Sequence, residues 1–218
     1  MIVIGYWTGL DDYRVMAEAM RASVERHDID CHIIHRTPPL DTSTLPKPMP
    51  WVVNCSLCAS VIQEAMNLFP NQSILYLDAD AEMVEHPSLF FSDWVDGVDF
   101  AAPMLPHRNR IELVSNTLYF APTRLPAREL VRQWEELQGI RLARMLAGGY
   151  SRPYREAWDQ TVLQSVLESG TVPGLSWKAL PLEYARIDPT SAGKDFMSGV
   201  GNGIICQHQA SRQTKKRA

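Results

Sequence analysis

Cysteine is scarce in this chain. Cys31, Cys55, Cys58 and Cys206 are the whole complement. The Cys55–Cys58 pair has redox or zinc spacing, but a structural zinc site needs two more ligands at matching spacing and none stands nearby. The pair therefore reads as small, reduced side chains at a strand-to-helix junction. No apolar run approaches bilayer length, so no membrane span is expected. The N-terminus lacks a basic region and a small-residue cleavage site. Met1–Trp7 reads as a first strand and the cytoplasm as the expected compartment. An excess of positive charge is also missing. The formal net charge is −4, so the chain as a whole has no nucleic-acid footprint. The local exception is the tail, where Arg212, Lys215, Lys216 and Arg217 cluster. No internal repeat is present.

The length and the ordinary apolar content fit one α/β domain with a single sizeable core. Ile2–Tyr6 predicts a strand. Tyr13, Met16, Ala17, Met20 and Val24 predict an amphipathic helix, and Ile29–His35 a second strand. Strand, helix, strand in that order implies a right-handed crossover and a parallel pair. Residues 37–50 read as a loop, Trp51–Asn54 as a short strand, and the stretch from Ser56 or Ser60 to Phe69 as a helix. Val98–Ala102 and Glu112–Phe120 predict strands on either side of an exposed loop at 104–111 that holds His107, Arg108 and Arg110. Leu125–Leu146 and Trp158–Leu167 predict helices. Leu175–Tyr184 predicts an extended segment kinked at Pro181. Residues 188–203 carry four glycines and predict a flexible loop, a candidate lid. Gly203–His208 predicts a last strand. Residues 1–80 look like a nucleotide-binding half, 81–208 like a second half that meets substrate, and 209–218 like a basic tail.

The most informative segment is Ser73–Pro87. Ile74–Leu77 reads as a buried strand that delivers Asp78 and Asp80 at its carboxyl end. Open α/β sheets place their ligands there. A lone Asp-x-Asp is commonly a solvated turn or a cap. Here an apolar strand precedes it and a turn at His86–Phe90 follows. Two carboxylates around the small Ala79 can meet a hard divalent cation, which takes one or two carboxylates together with substrate phosphates.

Four motifs together resemble a GT-A fold glycosyltransferase, of the type of glycogenin and the bacterial lipopolysaccharide galactosyltransferases. Leu75–Asp80 is similar to that family's metal-binding Asp-x-Asp. Ser115–Phe120 stands where the family's strand lines the sugar pocket. Trp158-Asp159-Gln160 is similar to an Asp-Gln pair at a helix start beside the donor sugar. Ile204–His208, with Arg212 and Lys215 beyond it, resembles a late strand ending in a metal-ligating His followed by a basic residue at the diphosphate. The resemblance implies a Rossmann-like, mixed, mainly parallel sheet flanked by helices in one domain. It also implies metal-dependent transfer of a sugar from a nucleoside-diphosphate sugar, a UDP-sugar first of all, with retention. It assigns Asp78, Asp80 and His208 to Mn²⁺ or Mg²⁺, and Asp159 and Gln160 to catalysis. Tyr6, Ser115, Asn116, Arg212 and Lys215 fall to substrate. The family's second motif is Gly-rich, so either Ser115 or Asn116 touches the sugar. Its late motif continues differently, so either Arg212 or Lys215 meets the diphosphate.

The inventory suits the reaction. Sugar transfer needs the leaving diphosphate stabilised by a Lewis acid and by a cation placed on its developing charge. Neutral His joins oxygen ligands around Mn²⁺. Asp159 alone reads equally as a helix cap. A sugar-phosphate nucleotidyltransferase would carry a Gly-rich basic loop after its first strand, but Gly5–Gly9 has no nearby Lys. A phosphatase would place its Asp-x-Asp on the first strand with Thr or Val two residues beyond, where Glu82 stands here. A nucleotide-sugar-binding module without turnover is the non-enzymatic reading. The acceptor is open among a saccharide, a lipid-linked glycan, a protein and a modified nucleic acid.

Overall fold

The structure, a computed structural model, describes residues 1–9, 11–46, 48–107, 110–149, 153–187 and 203–208. β1 (Ile2–Thr8), α1 (Asp11–Glu25) and β2 (Cys31–Arg36) form the predicted crossover, and β1 and β2 pair in parallel from Val3↔Cys31 to Thr8↔Arg36. A Cβ at Gly5 would collide with the Met20 side chain, so the missing side chain lets α1 lie close against β1. β3 (Ile74–Leu77) pairs in parallel with the other edge of β1.

Strands from both halves of the chain enter one seven-stranded sheet. Beyond β3 come β7 (Thr117–Phe120), β5 (Phe100–His107), β6 (Arg110–Leu113) and β8 (Trp177–Leu180). Five strands share the direction of β1, while β6 and β7 oppose it. A small second sheet holds β4 (Ala81–Met83), β10 (Ile205–Gln207) and β9 (Arg186–Ile187).

Period-two alternation builds two core layers, as both faces of the sheet are covered. Ile2, Ile4, Ile74, Tyr76, Leu118 and Phe120 meet α3 (Cys58–Leu68), α4 (Leu125–Leu146) and α6 (Asp159–Ser169) on one face. Val3, Leu75, Leu77 and Tyr119 meet Met20 and Val24 of α1 on the other. Trp134 of α4 is fully buried in the first layer.

Four local expectations change. Trp51–Asn54 lies in a helix, α2 (Met49–Cys55), with Pro50 in its first turn. Proline is tolerated there, and Val52 and Val53 are drawn into a third cluster with Met145 and Ala157. The Cys55–Cys58 pair consequently joins two helices and is free of disulfide. The 104–111 loop is largely strand, since β5 runs on to His107 and turns back into β6. The single strand expected over Glu112–Phe120 is split. Were the pairing Met104↔Leu113 continued, Ala101 would face Asn116; it faces Tyr119 instead. Residues 114–116 form a bulge between β6 and β7, in which Val114 N–H still donates to the Pro103 carbonyl at 3.0 Å while Ser115 and Asn116 turn, and this re-aims their side chains. β8 ends at Leu180, before Pro181, and Leu182–Tyr184 turns as a 3₁₀ segment. Among the described residues no helix is long and apolar enough to cross a membrane.

Candidate functional site

A cleft of about 1280 Å³ opens at the carboxyl ends of β1 and β3. Tyr6, Trp7 and Thr8 close β1, while Asp78, Ala79 and Asp80 follow β3. The bulge supplies Val114, Ser115 and Asn116, and the start of α6 supplies Asp159 and Gln160. The volume exceeds what one drug-sized ligand occupies.

The floor is tied by main-chain bonds. Asp78 N–H donates to the Asn116 carbonyl at 3.1 Å, and Ala81 N–H to the Asp78 carbonyl at 2.9 Å. β10 pairs antiparallel with β4 through Ile205↔Met83, Cys206↔Glu82 and Gln207↔Ala81. His208 is next in that register, and its N–H donates to the Asp80 carbonyl at 3.1 Å. Two motifs far apart in the chain thus become neighbours by strand pairing. The His208 ring, however, lies on Glu82, with Nε2 3.0 Å from Oε2. Among the described residues no three His, Cys, Asp or Glu side chains form a ready metal cage.

Electrostatics set the site's character. Desolvation pushes the Asp78 carboxyl well above the usual range; the charges of Asp80 and Asp159 push it further, and the Tyr76 hydroxyl, donating to Asp78 Oδ1 at 2.9 Å, opposes them. Burial raises Asp159 to about 6, opposed by Ser115 and by the main-chain N–H groups of Gln160 and Asp159. Ser115 Oγ donates to Asp159 Oδ2 at 2.9 Å. Desolvation also raises the Cys55 and Cys58 thiols, with Asp159 and then Asp78 adding to it, so both stay protonated and poorly nucleophilic.

The wall around these groups is held by side chains that pattern alone does not expose. Tyr6 Oη donates to the Asn54 carbonyl at 2.9 Å. Gln138 Nε2 donates to the Ala157 carbonyl at 2.7 Å and steadies the approach to α6. Gln164 accepts from Leu113 N–H at 3.1 Å and donates to the Ile111 carbonyl at 3.3 Å, replacing a neighbouring strand along β6. Gln207 Nε2 donates to the Asn116 carbonyl at 3.3 Å.

No protein-family model matches the sequence, and no curated protein matches it. Solved structures do match. A glycosyltransferase involved in glycosylation of the major capsid of PBCV-1 aligns at TM-score 0.65 and 14% identity, over 100% of this chain and 99% of that one. The glycosyltransferase GlyE of Streptococcus pneumoniae TIGR4 aligns at 0.59 and 13%, over 94% of this chain and 54% of its own. Mouse xyloside xylosyltransferase 1, apo form, aligns at 0.54 and 10%, over 97% and 98%. The chain has a GT-A-like glycosyltransferase fold.

Within this GT-A-like fold, Asp78, Asp80, Tyr6, Ser115, Asn116, Asp159 and Gln160 all line the one cleft. His208 sits at its edge, joined to Asp80 through the main chain. Asp159 is the first residue of α6, and the N-cap position belongs to Trp158. Arg212, Lys215 and residues 188–202, the expected lid, lie outside the described residues. Sequence reasoning missed Asn54, Tyr76, Gln164 and Gln207. Tyr76 carries a signal, since it alternates with Asp78 along one strand; the others depend on long-range packing.

Proposed function

We propose that the protein is a glycosyltransferase that moves a sugar from a nucleoside-diphosphate sugar, a UDP-sugar in the first instance, to an acceptor with retention, in the cytoplasm and with Mn²⁺ or Mg²⁺. The observation that carries this reading is the meeting of Asp78 and Asp80 with the Ser115–Asp159 pair on the wall of one cleft, in a fold shared with glycosyltransferases.

The charge of the cleft supports a cation. Its described lining holds Asp78, Asp80, Glu112, Glu156, Asp159 and Glu168, against Arg155. A diphosphate brought to such a wall is repelled unless positive charge intervenes. Asp78, already pushed up by desolvation and by Asp80, is the kind of crowded oxygen donor that a hard divalent ion relieves. Asp78 and Asp80 would hold it, and His208 is the third candidate, its ring engaged by Glu82 in this structure. When bound, the ion supplies Lewis-acid stabilisation to the leaving diphosphate.

The chain's own groups account for the rest. Arg212 or Lys215 would add charge at the diphosphate. Tyr6 would flank the nucleotide with its ring, its hydroxyl being spent on Asn54. Asp159, fixed by Ser115, would accept from sugar hydroxyls and, when ionised, stabilise positive charge as the glycosidic bond breaks. Gln160 offers both a donor and an acceptor beside it. Incubation with UDP-glucose, UDP-galactose and UDP-N-acetylglucosamine, with and without Mn²⁺, tests the reading. Metal-dependent release of UDP is expected. Binding without release would leave a nucleotide-sugar-binding module, and no binding would refute the reading.

A further inference from the structure

The cleft is longer than the donor assigned to it. On the reading above, the nucleotide lies at the end of β1, the diphosphate at Asp78 and Asp80, and the sugar at Asp159. Beyond Asp159 the cleft runs on along α6 to Gln164 and Glu168, and past Arg155 and Glu156 of α5 (Pro153–Glu156). Gln160 to Glu168 is about 12 Å of helix. Two tryptophans stand where this arm begins. Trp51 of α2 and Trp158, the residue before α6, have ring centroids 5.2 Å apart and planes tilted by 58°. Both are half-buried and keep surface in the cleft.

This aromatic corner is rigidly mounted. Ala157 is buried and its carbonyl takes Gln138 Nε2, while Asp159 is buried and takes Ser115 Oγ. Trp158 is therefore fixed from both sides, although its ring belongs to none of the three core clusters. Trp51 rests on the third cluster. Arg141 donates to the Glu156 carbonyl at 3.1 Å and to Ser165 Oγ at 3.0 Å, which clamps α5 onto α6. Indole surface left wet beside a reacting centre gains free energy when a ligand covers it. A pyranose ring suits it. Its C–H face meets the electron-rich face of an indole, and its hydroxyl edge stays free for polar groups. Gln160 and Thr161 follow next along α6 to meet that edge. The charges along the described arm are Glu112, Glu156 and Glu168 against Arg155, so a polyanion such as a nucleic acid finds no net attraction there.

We propose that the acceptor is a saccharide whose terminal ring stacks on the Trp51–Trp158 corner and presents one hydroxyl to the donor beside Asp159. This rests on the glycosyl-transfer reading above and names its acceptor class. In the step, the hydroxyl oxygen bonds to the anomeric carbon of the donor sugar as the bond from that carbon to the diphosphate breaks. UDP leaves with the bonding pair and the hydroxyl proton goes to solvent.

Acceptor assays on the full chain decide it, with Mn²⁺ and UDP-glucose, UDP-galactose or UDP-N-acetylglucosamine. The probes are methyl and octyl glycosides of glucose, galactose, mannose and N-acetylglucosamine, with serine, threonine and tyrosine peptides and tRNA as the competing arms. At least one glycoside is expected to raise UDP release about tenfold over the acceptor-free rate, by placing a hydroxyl at the reacting carbon. Mass spectrometry should show the glycosylated product. Trp51→Leu and Trp158→Leu are each expected to raise KM for that glycoside about fivefold or more and to change UDP affinity less than about twofold. Trp158→Phe, which keeps an aromatic face, should recover most of the loss. If one leucine variant does not fold, the other carries the test. Saturation-transfer NMR on the unmodified protein with UDP and Mg²⁺ should show the ring protons of the glycoside against the protein. A free sugar and the end of a lipid-linked glycan share this ring; a much lower KM for the octyl form would identify the lipid-linked source, and equal values the free one. An unchanged acceptor KM in both leucine variants overturns the inference, as does an equal loss for UDP and glycoside. So does transfer to peptide or tRNA with no glycoside accepted, or the absence of both transfer and NMR contact for every glycoside. In those cases glycosyl transfer still stands. Absence of any UDP or UDP-sugar binding by the unmodified protein overturns both.

Discussion

Ser115 Oγ donates to Asp159 Oδ2 at 2.9 Å, joining the bulge between β6 and β7 to the first turn of α6. The bond brings two of the sequence motifs onto one point of the cleft wall and fixes one oxygen of a buried carboxylate. Asp159→Asn keeps the shape and the hydrogen-bonding span but removes the charge. It is expected to retain UDP and Mn²⁺ affinity within about threefold while kcat falls by about a hundredfold or more, the pattern of a group acting in the transition state. Near-normal transfer would remove Asp159 from catalysis.

The same carboxyl makes stability depend on pH. Its folded value, about 6, lies above its ordinary 3.8 because burial disfavours the charge. Between those values the native state holds a proton that the unfolded chain has released. Stability therefore falls as pH rises through that window, by at most about 3 kcal/mol from this group. Urea titrations at pH 4 and pH 7, compared between the unmodified protein and Asp159→Asn, should show that slope only in the former once the other groups' common contribution is subtracted.

Asp80→Ala tests the cation. Metal-dependent UDP binding should be lost while circular dichroism and the melting temperature stay close to those of the unmodified protein, since Asp80 is half-buried at a turn and its main-chain carbonyl still takes His208 N–H. Unchanged Mn²⁺ and UDP binding would show that the carboxylate has no such role.

Tyr76→Phe tests how Asp78 is held. The Tyr76 hydroxyl donates to Asp78 Oδ1 and lowers a carboxyl that desolvation and Asp80 raise. Without it Asp78 should ionise at higher pH still. The midpoint of Mn²⁺ binding against pH is expected to move upward, because a hydrogen bond that favours the ionised carboxylate is lost. A midpoint that stays in place or moves down would count against Asp78 as a ligand.

Trp134→Ala tests the packing beneath the site. Trp134 is fully buried between α4 and the sheet. Its removal should cost about 3–5 kcal/mol in denaturant unfolding.

Much of the frame was legible because it is written in short-range periodicity. The β1–α1–β2 crossover, the buried run Ile74–Leu77 ending in Asp78, and α4 over Leu125–Leu146 each follow from apolar spacing within one segment. Trp51–Asn54 misled because a short apolar run carries no period of its own. Pro50 and the burial of Val52 and Val53 decided for helix. Glu112–Phe120 misled for a different reason, since β-propensity shows extended chain but not where the pairing register slips.

The sequence by itself determined the α/β class, the strand that presents Asp78 and Asp80, and which polar residues were candidates, because alternation and helical spacing are local properties. Tertiary structure alone decided which of them meet. Antiparallel pairing of β10 with β4 set His208 beside Asp80, yet turned its ring to Glu82. A three-residue slip along β5 set Ser115 against Asp159. Burial made Gln207 part of the cleft. Each of these rests on register between strands distant in the chain, and register is a property of the whole sheet that no single segment encodes.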